Sequence, residues 1–189
     1  MFAVRIHGRG GQGVVTAAEL LSLAAFTEGL QAQAFPSFGS ERMGAPVVAF
    51  CRIDSEPIRL REPIAEPDAV VIQDPTLLHH VEVFGGLGEE GYVLINSARS
   101  IEQLGLAELT ERYRPERLAS VPASEFVRVR LGRPIPNAAL LGALAAQTGI
   151  VSLAALTRAI NERFTGAAAQ GNAAAASDGF LCMEELAHA

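Results

Sequence analysis

His7-Gly8-Arg9-Gly10-Gly11-Gln12-Gly13 stands between a short apolar run, Phe2–Ile6, and a stretch from Val14 to Glu28 whose spacing is helical. Val14, Ala18, Leu21 and Ala25 share one face of that helix, and Ala17, Leu20 and Ala24 make the other face small or apolar as well. The spacing therefore predicts a helix buried nearly all round, fed by an N-terminal strand through a glycine loop. Gly8, Gly10 and Gly13 satisfy GxGxxG. Glycine permits positive φ and close approach, while the following helix offers free N–H groups and the positive end of its dipole, so a phosphate is the ligand this chemistry favours. The same loop without a ligand is a tight turn that needs glycine for the same steric reason. The NAD version also requires an acidic residue about 20 positions on, at the end of the second strand. That end reads Ala34-Phe35-Pro36, so ordinary dinucleotide binding is disfavoured.

Outward from this stretch, Gly29 closes the helix and Leu30–Phe35 reads as the second strand. A Ser-, Gly- and Pro-rich loop runs from Pro36 to Pro46, followed by a strand-like Val47–Ile53. Asp54-Ser55-Glu56 is a turn signal that would join this strand to a short antiparallel partner, Ile58–Leu60. Ala69–Gln73 and Tyr92–Ile95 are apolar runs of the fully buried type, with a weak helix, Thr76–Val83, between them. Leu118–Val121 is a further strand, and the rest is helical: Ser124–Arg130, Ala138–Gln147, Leu153–Arg163 and a tail from Gly166. Alternating strands and helices predict a single α/β domain over residues 1–189. Its expected form is a Rossmann-like, mostly parallel sheet with flanking helices, an antiparallel hairpin at Val47–Leu60 and a helical C-terminal part.

Composition narrows the function. Of 189 residues, 49% are hydrophobic and 19% charged, which excludes a disordered chain. Fifteen basic residues, every one of them Arg, face 21 acidic ones, leaving −6. An acidic chain without a basic run is a poor match for a nucleic-acid backbone. Cys51 and Cys182 lie far apart with no Cys/His neighbours, so neither an iron–sulfur cluster nor zinc is expected on this chain. Buried free thiols and a cytoplasmic location are the expectation. Asn137–Leu156 carries no charge, but Ala, Gly, Ser and Thr dominate it and Gln147-Thr148-Gly149 interrupts it. Two core helices explain it better than a membrane span.

Loops that follow parallel strands gather on one rim of the sheet, where ligands bind. The rim expected here joins the glycine loop to the Ser37–Gly44 loop, Asp74-Pro75 and Asn96-Ser97. Its candidate cofactor-binding residues are Gly8, Arg9, Gly10, Gly11, Gln12, Gly13, Ser37 and Arg42, the two arginines being suited to phosphate or to a partner's carboxylate. Asp74 and Asn96 also suit Asx turns, His79-His80 a solvated pair, and Asn137 the cap of a helix. There is no Ser/His/Asp pattern, no P-loop lysine and no metal-ligand cluster. A self-contained catalyst is hard to build from this inventory.

His7–Gly13 with its buried helix resembles the opening of the gamma subunits of 2-oxoacid:acceptor oxidoreductases. The likeness continues through Phe38-Gly39-Ser40-Glu41-Arg42-Met43-Gly44 and the strand Val47–Ile53, and resumes at Val121-Pro122-Ala123 and at Pro136–Leu144. Many relatives have Arg-Gly-Gly where this chain reads Arg42-Met43-Gly44, and the Ala-rich stretch around Asn172 is looser than the usual ending. The resemblance implies an auxiliary subunit of a multi-subunit enzyme that oxidatively decarboxylates a 2-oxoacid (pyruvate, a branched-chain acid or phenylglyoxylate) to an acyl-CoA. It implies thiamine diphosphate, Mg²⁺ and iron–sulfur clusters on alpha, beta and delta-type partner subunits, and ferredoxin or an NAD-coupled subunit as acceptor. CoA at the interface is a further implication. The alternative is a free-standing, Rossmann-like nucleotide-binding protein that uses GxGxxG directly.

Overall fold

The computed structural model describes residues 1–37, 43–133 and 135–188. Six strands form one sheet in the order β2-β3-β1-β4-β5-β6: β1 Phe2–Arg9, β2 Gln31–Pro36, β3 Pro46–Asp54, β4 Ala69–Ile72, β5 Tyr92–Asn96 and β6 Leu118–Val121. β1, β4, β5 and β6 run parallel, whereas β3 is antiparallel to both β1 and β2. The expected mixed α/β sheet is present, but its antiparallel element differs. β3 pairs with β2 and β1 on its two sides, so Ile58–Leu60 has no free edge to join and forms no strand.

The helices are α1 Val14–Thr27, α2 Ala107–Arg112, α3 Ala123–Leu131, α4 Asn137–Thr148, α5 Leu153–Arg163 and α6 Gly166–Ala187. α1 buries Ala17, Leu20, Leu21, Ala24 and Ala25 between the sheet and α5. It ends where Gly29, at φ 78°, lets the chain fold back and Leu30 donate to the Ala25 carbonyl. The uncharged segment resolves into α4 and α5 around Gly149, again in the left-handed region. No helix among the described residues is long and apolar enough to cross a membrane. α4 and α6 pack backbone to backbone: a Cβ on Gly142 would lie 1.9 Å from the Ala176 carbonyl oxygen, and one on Gly179 2.0 Å from that of Ala139.

The expected helix at Thr76–Val83 is only a 3₁₀ turn, Pro75–His79. Beyond it the chain lends the carbonyls of Val83 and Gly85 to the buried Arg5 guanidinium, a use of backbone acceptors that competes with helix formation. This irregular segment and the six-residue α2, too short to show a period, cover Val70, Ile72, Val93 and Ile95 on one face of the sheet. α1 and α3–α6 cover the other. Cys51 is fully buried, and burial pushes its thiol up to about 12. Cys182 is only half-buried, packed at the margin of the core beside Met183, and both thiols are free.

Candidate functional site at the rim of the sheet

β1 delivers the glycine loop to the same rim as the ends of β4 and β5. Each glycine answers a different demand. At Gly8 a Cβ would lie 2.6 Å from Val14 Cγ2, so absence of the side chain lets helix and strand meet. Gly10 bridges to Met43, its N–H donating to the Ala45 carbonyl and its own carbonyl accepting from Gly44. Gly11 (φ 92°) and Gly13 (φ 71°) occupy the left-handed region. Gly13 is the residue that opens α1, and it has no side chain to satisfy the first helical N–H groups.

The polar members of the loop are largely committed to the fold. Gln12 Oε1 accepts from the Arg9 N–H at 2.7 Å, and Gln12 Nε2 donates to Asp74 Oδ2 at 2.8 Å. Arg9 donates to Thr76 Oγ1 and to the Gly44 carbonyl, and its Nε lies 3.2 Å from Asp74 Oδ2. Asp74 also caps the 3₁₀ turn through Thr76. Burial alone would raise the Asp74 carboxyl, but hydrogen bonds from Thr76 and Gln12, with Arg9 beside it, outweigh this and hold it below the usual carboxylate range. Next along the rim, Asn96 donates to the Gln73 carbonyl and to Ser124 Oγ, and accepts from the Ser124 N–H. Of the expected grouping, the glycine loop, Asp74 and Asn96 share this rim, and most of their hydrogen bonds tie one loop to the next.

Ser37 stands apart. Its N–H extends the β2–β3 ladder to the Val48 carbonyl, two strands away from the glycine loop. Arg42 lies outside the described residues. Met43 is 88% exposed, and its Sδ would be 2.7 Å from a Cβ on Gly11. His79 and His80 are exposed, their rings 6.4 Å apart. Among the described residues no three His, Cys, Asp or Glu side chains converge as metal ligands would.

Two cavities flank the start of α1. The outer one, ≈ 380 Å³, is bounded by Arg9, Gly10, Met43 and Val47. The inner one, ≈ 390 Å³, reaches Gly13 from the helical side and is walled by the α3–α4 turn and the α5–α6 corner. Asn137 belongs to this inner wall. It does not cap α4 as expected; Pro136 holds the cap position, and Asn137 Oδ1 accepts from the next N–H, that of Ala138. Arg133, Arg163 and Asn172 complete its polar lining. None of the four was a candidate ligand residue in the sequence, where each reads as an ordinary helix-end or helix residue.

Below the rim, β1 carries a second polar feature. Arg5 donates to His7 Nε2 at 3.1 Å and to the carbonyls of Ile64, Ala65, Val83 and Gly85. Burial, with the Arg5 charge adding to it, pushes His7 down to about 4. His7 is therefore neutral at pH 7 and accepts rather than donates at Nε2. This pair pins two irregular segments to the sheet and touches neither cavity.

Comparison with known proteins extends these observations to the whole chain. Residues 3–182 match the pyruvate ferredoxin/flavodoxin oxidoreductase family. The pyruvate/ketoisovalerate oxidoreductases common subunit gamma of Thermococcus kodakarensis is 50% identical over 95% of this chain and 96% of its own. Pyruvate synthase subunit PorC of Methanothermobacter marburgensis is 44% identical over 100% and 99%. Among solved structures, the pyruvate oxidoreductase subunit PORC of Thermotoga maritima superposes with a TM-score of 0.80 at 35% identity, covering 95% of each chain.

Proposed function

The chain belongs to the pyruvate ferredoxin/flavodoxin oxidoreductase family, and from that premise we propose that it is the gamma-type subunit of a 2-oxoacid:acceptor oxidoreductase, inactive by itself and working only inside the complex. The observation that carries this reading is end-to-end similarity to relatives that are themselves named as subunits: identity of 44–50% runs through nearly the full length of both partners in each pair. The residues agree with it. The rim supplies braces rather than reacting groups, since Arg9, Gln12 and Asp74 are engaged with one another and with Thr76. Thiamine diphosphate with Mg²⁺ needs a carboxylate-rich metal site and iron–sulfur clusters need grouped thiolates. The two cysteines here are separate, and no metal-ligand group is present among the described residues. These groups do not fit this chain, and we assign them to alpha, beta and delta-type partner subunits.

In this reading the complex sits in the cytoplasm, binds neither nucleic acid nor membrane, oxidises pyruvate or a branched-chain 2-oxoacid with CoA, and passes electrons to ferredoxin or an NAD-coupled subunit. The glycine loop and exposed Met43 face a neighbouring subunit or CoA at the entrance to the active site. The chain's own contribution is a rigid, shaped rim, held by the Gln12–Asp74–Arg9 braces so that loop position is not paid for at assembly.

Affinity purification of the tagged full chain from its native host tests this. The expected product is a brown, multi-subunit complex that reduces a viologen dye only when both a 2-oxoacid and CoA are supplied. Recovery of a colourless single chain, with the host's 2-oxoacid oxidoreductase activity fractionating elsewhere, would overturn it and leave the free-standing nucleotide-binding protein as the better description.

A further inference from the structure

We propose that the free edge of β2 is an interface with a second copy of this chain, the two β2 strands pairing antiparallel about a twofold axis. This rests on the chain's own residues and does not depend on the subunit reading. β2 closes the sheet on one side, and among the described residues no strand pairs with its outer side. The ladder to β3 decides which groups face outward. Gln33 stands opposite Arg52 and Phe35 opposite Phe50, and the Ser37 N–H donates to the Val48 carbonyl. Antiparallel bonds recur at every second residue. Gln31, Gln33 and Phe35 therefore turn their backbone groups to β3, while Ala32, Ala34 and Pro36 turn theirs away.

Soluble proteins commonly blunt such an edge with charge, with a bulge or with proline inside the strand. β2 reads Gln-Ala-Gln-Ala-Phe-Pro, without a charged residue, on a chain whose net charge is −6. Its register to β3 runs unbroken from Gln31 opposite Asp54 to Pro36 opposite Ala49, so no bulge twists it away. Its proline comes last and at an outward position, where the missing N–H costs the sheet nothing. A twofold axis sets each residue near its own copy, so a charge on this edge would repel itself. An uncharged edge on an acidic chain is what self-pairing requires.

The same geometry selects the register. With Gln33 on the axis, Ala32 of one copy faces Ala34 of the other, and every outward N–H and C=O of both alanines has a partner. Moving the axis to Ala32 leaves the Ala34 carbonyl unmet, because the facing Leu30 already donates its N–H to Ala25. Moving it to Ala34 leaves the Ala32 carbonyl unmet, because the facing Pro36 has no N–H. The ladder thus ends on both sides where the sequence stops supplying donors. The two Gln33 side chains meet as a close pair, and their neutral amides can donate to each other. The axis stands perpendicular to the sheet, so both α1 helices lie on one face. α1 packs on β2, and its Phe26, 50% exposed, extends the apolar surface beside the edge.

Sedimentation equilibrium of the full-length chain tests this, and a concentration-dependent dimer is expected. Ala34→Pro removes an outward N–H that β3 does not use. It is expected to weaken dimerisation by about tenfold or more, with the far-UV circular dichroism of the chain unchanged. In a Cys182→Ser background, Gln33→Cys is expected to give a disulfide-linked dimer on mild oxidation, since residues facing each other on the axis lie within disulfide reach. Gln31→Cys, which faces Phe35 of the second copy, is expected to stay unlinked. A chain that remains monomeric, or a dimer that A34P leaves intact, would refute the interface. Should A34P fail to fold, Q33C decides alone, and its failure to link would refute the pairing. Linking of Q31C as readily as Q33C would overturn the twofold register. Linking of Q33C to a different subunit, in the complex purified from the host, would give the edge to that subunit and overturn the proposal.

Discussion

Two polar regions meet at the start of α1 and spend their polar groups differently. On the sheet side, Arg9, Gln12, Asp74 and Thr76 hydrogen-bond mainly to one another and to nearby backbone. On the helical side, Asn137 and Asn172 keep one amide group each without a described partner, and Arg133 and Arg163 make no ion pair among the described residues. The first region holds the recognisable motif, and the second holds polar residues that the motif does not include. A motif's conspicuous side chains can thus brace the loop they sit on, while residues that no spacing rule selects line the space beside it.

The comparison can be broken most violently through the packing that presents the second region. α4 carries Asn137 and α6 carries Asn172, and the two helices approach closely at Gly142 and Gly179. Gly142→Val is expected to cost about 3 kcal/mol or more, because the atom it meets is a backbone carbonyl that no rotamer change can move. Urea unfolding checks it. A midpoint near the wild-type value would mean that α4 and α6 slide apart easily and that the inner cavity is not preformed.

The sheet side has its own vulnerability, in the neutral His7 beneath Arg5. Its folded value, about 4, lies below the unfolded value of 6.5, so between these pH values the unfolded chain holds the extra proton. Stability is complete above about pH 6.5 and falls as pH drops toward 4, by on the order of 3 kcal/mol from this residue. Urea midpoints measured from pH 7.5 to 4.5, on wild type and His7→Gln, should show the steeper fall in wild type. Parallel curves would mean that His7 gains a proton without penalty and that the Arg5 brace tolerates it.

Smaller effects separate the glycines. Gly11→Ala forces a left-handed alanine at φ 92°, beside the Met43 side chain. A loss of about 1–2 kcal/mol is expected, with little change at the inner cavity. Thermal denaturation gives the stability, and amide shifts of residues near Asn137 report on the cavity. Large shifts there would show that the two regions move together and are not separable.

Much of this was legible, and what was not has identifiable causes. The β1–glycine loop–α1 unit could be read because helical and strand periodicities meet at a steric requirement that only glycine satisfies. The direction of β3 could not, because alternation within Val47–Ile53 reveals burial but not which neighbour the strand pairs with. The turn signal points to a hairpin with Ile58–Leu60, whereas β3 lies between β2 and β1. Asp74 and Asn96 are readable as strand-end residues; Asp74 makes its local turn as well as a cross-loop bond, whereas the Asn96 side chain bonds only across loops, to Gln73 and Ser124. Asn137 and Asn172, 35 positions apart, become neighbours of one cavity only through the α4–α6 packing. Asparagine near a helix start reads as a cap, and within an alanine-rich helix it reads as nothing in particular.

The smallest expected effect is the one that links the two regions. A Cβ on Gly13 would approach Asn137 Nδ2 to 2.9 Å, closer than real Cβ contacts allow, and Gly13 itself sits at φ 71°. Gly13→Ala should therefore carry two costs: left-handed strain, and displacement of the Asn137 amide. Asn137→Ala removes the amide, so only the first cost survives in the double variant. A double-mutant cycle on urea midpoints should yield a coupling of about 0.5–1 kcal/mol, the double variant being less destabilised than the sum of the singles. Strict additivity would mean that Asn137 swings away from Gly13 at no cost. Its Nδ2 would then not be held against the start of α1, and the sheet and helical regions would be mechanically independent there.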